Sequence, residues 1–234
     1  MALPIQATPT YKCDLPSTGA EVKFRPFLVK EQKILVIAQE SEDPSTTLSA
    51  VKDLINNVTF DKVNANELTM FDLEYLFCKI RAKSVGETVP LKMACMVTDC
   101  KGSGETVVNL DELTVTESTS GDPKIMISDE VGIVLRYPTV KDMEKITIAT
   151  EAEQSIEVLK ASITQIFDAE NIYEEADMSA DDKAEFVENL TFPQIEKLSA
   201  FFMGMPKLQG KIGYTCNTCG KQNERILEGL QSFF

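Results

Sequence analysis

Residues 214–234 read "YTCNTCGKQNERILEGLQSFF", and the turn from Cys216 to Gly220 decides how the rest of the chain is understood. A C-x-x-C-G turn is a knuckle that grips a metal with two thiolates, half of the tetrahedral set that zinc favours. The other half has to come from a distant segment. Cys95 and Cys100, a C-x4-C pair in "ACMVTDCKGSG", are the candidates. Both segments follow one plan: two cysteines, a glycine turn, a β-like stretch, then an L-acid-x-L run. That run is Leu110-Asp111-Glu112-Leu113 in the first and Leu227-Glu228-Gly229-Leu230 in the second. The predicted metal ligands are therefore Cys95, Cys100, Cys216 and Cys219, facing one another as two knuckles of a zinc ribbon. A four-thiolate shell leaves no position for water, so the expected zinc is structural. The same residues leave two other readings open, a redox-active pair and unmetallated buried thiols.

The composition narrows the function classes. The chain has 234 residues, 43% hydrophobic and 26% charged, enough for one elaborate domain or two small ones. No apolar run approaches the roughly 18–20 residues that cross a bilayer. The opening "MALPIQATPTYKCDLPSTG" has no basic segment followed by an apolar block, so no secretory signal is expected. Six cysteines in that setting point to a reducing compartment and to metal binding rather than disulfides. Net charge is −14, from 23 basic and 37 acidic side chains. Nucleic-acid affinity comes mainly from neutralising phosphates, so no nucleic-acid partner and no membrane partner are expected. The chain contains no histidine. That removes Ser-His-Asp and Cys-His nucleophiles, the H-E-x-x-H hydrolases and every mixed Cys/His metal site. Phosphate-binding glycine loops and the G-x-S-x-G elbow are absent too, and no catalytic or cofactor-binding residue is predicted beyond the metal.

Away from the knuckles the pattern is mixed. "YKCDLPSTGAEVKFRPF" alternates about a Pro-Ser-Thr-Gly turn and predicts a β-hairpin. Helices are predicted over "LVKEQKILVIAQES" and over "PSTTLSAVKDLINNV", the second capped by Ser45 or Thr46. A third opens at Thr69, and Met70, Leu73, Phe77 and Ile80 form its core stripe. Cys78 within it reads as a small core residue, and Cys13 in the hairpin as inert. Short Val/Ile/Leu-rich runs from Val85 to Pro138 predict strands. Beyond Thr139 the chain turns helical, with Ile156, Leu159, Ile163 and Ile166 spaced to face a core.

Asp168–Glu188 holds nine carboxylates against one lysine. It lacks the glycine and the spaced acids of a calcium loop, and predicts an exposed linker and an acidic helix. Thr191, Pro193 and Gln194 then open a helix with a cap, an early proline and a capping-box glutamine. Leu227, Leu230, Phe233 and Phe234 recur at three-to-four-residue spacing, either docking on the protein's own core or facing a partner.

The expected fold class is α+β. Residues 1–85 form the hairpin and helices, and 86–138 a small antiparallel β region with the first cysteine pair. Residues 139–205 are an inserted helical segment with its acidic linker. Residues 206–234 carry the C-terminal knuckle and a short amphipathic helix packing on the β region.

Three blocks carry a resemblance. "ALPIQATPTYKCDLPSTGAEVKFRPFLVKEQKILVIAQE", "VGIVLRYPT" and "MPKLQGKIGYTCNTCGKQNERILEGLQSFF" resemble the T4-type bacteriophage baseplate hub subunit and assembly family, in the family's own order along the chain. The resemblance implies a non-enzymatic protein of a contractile phage tail, binding other baseplate or tail proteins; whether it also forms a homo-oligomer stays open. It implies presence in the infected host's cytoplasm during assembly and in the tail baseplate of the virion. A permanent hub subunit and a transient chaperone for hub or tape-measure proteins stay equally open at this point. Two further readings are a zinc-ribbon nucleic-acid-associated module, for which only Lys207, Lys211, Lys221 and Arg225 lie near the knuckle, and a metal-dependent tail hydrolase.

Overall fold

The computed structural model describes residues 7–41, 43–146 and 151–229. In chain order the elements are β1 (Tyr11–Asp14), β2 (Glu21–Phe24), α1 (Val29–Glu40), α2 (Pro44–Val58), α3 (Met70–Ser84), β3 (Thr88–Ala94), β4 (Ser103–Asn109), β5 (Thr114–Val115), β6 (Lys124–Met126) and β7 (Gly132–Leu135). They continue as α4 (Val140–Ile146), α5 (Glu151–Ser162), β8 (Ile163–Phe167), β9 (Ile172–Glu174), α6 (Ala180–Glu188), α7 (Phe192–Met203), β10 (Leu208–Thr215) and β11 (Gln222–Glu228). The architecture is α+β with small antiparallel sheets, as the sequence predicts.

The chain divides into two compact units. The first is assembled from Met1–Ala65, Phe71–Thr116 and Lys207–Phe234. Here β1 pairs with β2 about the Pro-Ser-Thr-Gly turn. The hairpin is tied down by Arg25 N–H donating to Val58 O (3.0 Å) and Phe27 N–H donating to Ser84 Oγ (3.0 Å). Val51, Ile55, Leu73, Leu76 and Ile80, from α2 and α3, are fully buried. Such helices, each with an apolar stripe, owe their stability to packing more than to intrinsic propensity. The cap of α2 is Asp43 rather than Ser45 or Thr46. Its carboxylate accepts the Ser45 and Thr46 N–H groups, while Pro44 occupies the first turn where a missing N–H costs nothing.

The same unit holds two long hairpins, β3–β4 and β10–β11, each with seven paired residues per strand. The segment between Thr116 and Lys207 leaves and returns at one point. Thr116 N–H donates to Lys207 O (3.0 Å), Lys207 N–H donates to Thr116 Oγ1 (3.0 Å), and β5 pairs with the start of β10. This closure brings two cysteine pairs that are far apart in sequence onto one unit.

The second unit comprises Asn66–Met70 and Glu117–Pro206. Its sheet runs β6-β7-β8-β9, and its core is Ile133, Leu135, Leu159, Ile163, Val187, Leu198 and Phe201. Thr191 and Gln194 form the predicted capping box at the start of α7, with Thr191 N–H donating to Gln194 Oε1 (2.8 Å).

Two expectations change here. The apolar spacing through Ile163 and Ile166 does not continue a helix: α5 ends at Ser162, and both isoleucines lie on β8 against β7. The run Ile163-Thr164-Gln165-Ile166-Phe167 is β-branched and aromatic, and pairing with β7 satisfies its backbone where a longer helix would not. The acidic stretch is also more ordered than a linker. Residues 172–174 form β9 on the sheet edge, and Lys183, its single lysine, is buried with Nζ donating to Ile163 O (2.9 Å) and Glu175 (3.2 Å).

Candidate metal centre

Cys95 follows directly on β3 and Cys100 lies just before β4, so both sit in the connection of one hairpin. Cys216 and Cys219 occupy the connection between β10 and β11. The two connections share two bonds at their first cysteine. Val97 N–H points at Cys95 Sγ and Thr218 N–H at Cys216 Sγ, each at 3.4 Å. Cys95 N–H closes its turn on Gly102 O (2.9 Å), and Cys216 N–H closes its own on Lys221 O (2.9 Å). The shared plan seen in the sequence is thus a shared knuckle.

The knuckles face each other across a dense set of bonds. Asn217 N–H donates to Ser103 O (2.9 Å) and Tyr214 Oη donates to Ala94 O (2.7 Å). Asn223, only 7% exposed, accepts the Met96 N–H on Oδ1 (3.1 Å) and donates from Nδ2 to Lys221 O (3.0 Å). Approach this close requires glycine on β4 and the loop before it. A Cβ on Gly102 would lie 2.5 Å from Thr218 Oγ1 and 2.6 Å from Cys216 Sγ, and one on Gly104 2.4 Å from Thr215 O.

The four sulfurs all lie within 4.8 Å of one another. Cys95 Sγ is 3.7 Å from Cys219 Sγ, and Cys100 Sγ is 3.7 Å from Cys216 Sγ, so each short contact joins one knuckle to the other. Sulfurs on a regular tetrahedron around a zinc ion at about 2.3 Å lie about 3.8 Å apart. All four cysteines are free, so no disulfide competes. The cluster can therefore hold a metal ion, and its all-sulfur donor set suits a thiophilic one.

The electrostatics agree with that chemistry. Backbone N–H groups of Cys219 and Thr218 directed at Cys216 pull its pKa down to about 6. At Cys100 the Gly102 N–H acts to lower the pKa, but desolvation and the adjoining thiols of Cys219, Cys216 and Cys95 outweigh it and hold it near 12. One thiolate is supported by the backbone while a second negative charge beside it is resisted, a repulsion that a central cation relieves. Cys13 and Cys78 stand apart. Burial above all raises them to about 11 and about 12, so both stay protonated thiols at neutral pH.

Sequence reasoning missed Gly102, Gly104, Tyr214 and Asn223 as parts of this site. The signals were present in the "CKGSG" glycines and in the asparagine of "CGKQN". Of the apolar C-terminal residues, Leu227 lies on β11 and is buried, so the helical spacing does not hold there. Leu230, Phe233 and Phe234 lie outside the described residues. Of the basic residues near the knuckle, Lys211 pairs with Glu224 (2.8 Å) and Lys207 with Glu228 (3.9 Å). No helix among the described residues is long and apolar enough to cross a membrane.

A family model described as T4 bacteriophage base plate protein matches residues 8–234. No curated protein and no solved structure matches the chain.

Proposed function

Because the chain belongs to the T4 bacteriophage base plate protein family, we propose that it works in the central hub of a contractile-tail baseplate. There it is a non-catalytic subunit or assembly factor that binds other tail proteins. The family match carries this reading, since it runs through both compact units and both cysteine pairs. We further propose that Cys95, Cys100, Cys216 and Cys219 bind one structural zinc. The 3.7 Å sulfur contacts and the four-thiolate donor set support zinc over a hard cation. A shell filled by four thiolates holds no metal-bound water, which favours scaffolding over turnover. The zinc would clasp the two hairpins where they carry no common strand pairing, contributing roughly 10–16 kcal/mol of apparent binding free energy to the folded state. The net charge of −14 argues against a nucleic-acid role.

Mass spectrometry of purified virions tests the hub reading. Stoichiometric recovery with hub proteins supports a permanent subunit. Absence from mature tails, with presence in assembly intermediates, makes the chain a departing assembly factor. Absence from both refutes the proposal. Elemental analysis tests the metal separately: about one zinc per chain is expected, lost in Cys216→Ser.

A further inference from the structure

The helix α1 is more apolar than its packing requires. It buries Glu31, Leu35 and Ala38, and leaves Ile34 55% and Ile37 67% exposed. At 100° per residue, Ile34, Lys30, Ile37 and Lys33 occupy one arc of about 100° beside the buried stripe. Along the edge of that arc lies a groove of about 320 Å³ between α1 and α2, which Ile34 lines together with Ala50, Asp53, Leu54, Asn57 and Asp61. Among the described residues, neither Lys30 and Lys33 nor Asp53 and Asp61 take part in an ion pair.

We propose that this face is a self-association surface, where two copies of the chain meet across a two-fold axis. Lys30 and Lys33 of each copy face Asp53 and Asp61 of the other, and Ile34 and Ile37 close over the opposing groove. A two-fold contact uses the same patch twice, so the patch has to carry both signs of charge side by side. This one does: a basic, apolar helix face adjoins an acidic, apolar groove. The rest of the chain works against self-contact, since a net charge of −14 repels its own copy, and a local basic strip is what two such surfaces need to meet. A different subunit would need only one half of the pattern. The surface lies wholly within Met1–Ala65, and the inference does not depend on the baseplate assignment.

Sedimentation velocity of the full chain across the micromolar range reads the result. A concentration-dependent dimer is expected, weakened by added salt. One variant, Lys30→Glu/Lys33→Glu, makes both halves of the patch acidic. A second, Asp53→Lys/Asp61→Asn, makes the groove basic while keeping a residue that tolerates the left-handed backbone at position 61 (φ 55°). Each variant alone should dissociate by roughly tenfold or more, because symmetry makes every substitution count twice. Mixing the two should restore the dimer, since both contacts then join opposite charges. Circular dichroism confirms that each variant is folded. A wild-type monomer at every concentration, a dimer that survives both variants, or a mixture that stays monomeric overturns the proposal. The first of these results assigns the face to a different subunit.

Discussion

Gly102→Ala probes the clasp without replacing any of the four cysteines. The added Cβ meets Thr218 Oγ1 at 2.5 Å, Cys216 Sγ at 2.6 Å and Thr218 Cβ at 2.6 Å. Carbon atoms do not approach this closely, so something must move. Cys216 Sγ is fixed if it binds metal, and Thr218 is held by its own N–H to that sulfur. The strain falls on the spacing between the two knuckles. Overpacking of this kind costs about 1–3 kcal/mol. With zinc bound as proposed, folding and metal binding are coupled, and that cost should appear as a roughly 5- to 150-fold weaker apparent zinc affinity. Competition against a chromophoric chelator measures it, with Gly213→Ala as the control. Gly213 is on β10 of the same unit, and its nearest neighbour to an added Cβ is Asn223 O at 3.9 Å, an ordinary contact. The expected pattern is a clear loss for the first variant and almost none for the second. Equal affinities for the two would refute the close-packed clasp.

Three other outcomes follow from the geometry. Asn223→Ala removes the acceptor of the Met96 N–H and should destabilise by about 1–3 kcal/mol. Faster hydrogen exchange at that amide is the direct readout. Glu31 is held below the usual carboxylate range: burial works to raise it, but the Arg25 guanidinium and the Leu28 N–H outweigh burial. A lowered folded-state pKa means the stabilisation is complete above the unfolded pKa and is lost as pH falls through the folded one. Urea unfolding of wild type against Glu31→Gln should therefore show a gap that narrows in acid, and a gap constant with pH would count against the pair. In the second unit, Leu198→Ala empties a fully buried site and should cost about 2–5 kcal/mol in denaturant unfolding.

Local chemistry was legible where it acts over a few residues. The hairpin turn after Asp14 and the capping box at Thr191 both depend on short-range sterics and hydrogen bonds, and these were visible as residue types at fixed offsets, whereas the start of α2 was placed at Ser45 or Thr46 although Asp43 caps it. Ile163 and Ile166 misled because they extend the helical spacing of Ile156 and Leu159, while the short apolar run they belong to is equally consistent with a buried strand. Pairing with β7, a partner thirty residues away, decided between them. The acidic stretch read as a linker for a similar reason. Its charge was evident, but the edge position that orders β9 and the carbonyl that receives Lys183 belong to other segments.

The cysteines divide the same way. Residue types and spacing alone picked out two cysteine pairs as candidate knuckles and showed that no histidine can join them. Only the tertiary structure decided that the pairs meet. The chain departs at Thr116 and returns at Lys207, and two glycines let β4 and its loop lie against β10. Ligand identity is a property of single side chains, whereas ligand proximity depends on backbone closure across more than a hundred residues, which no local pattern records.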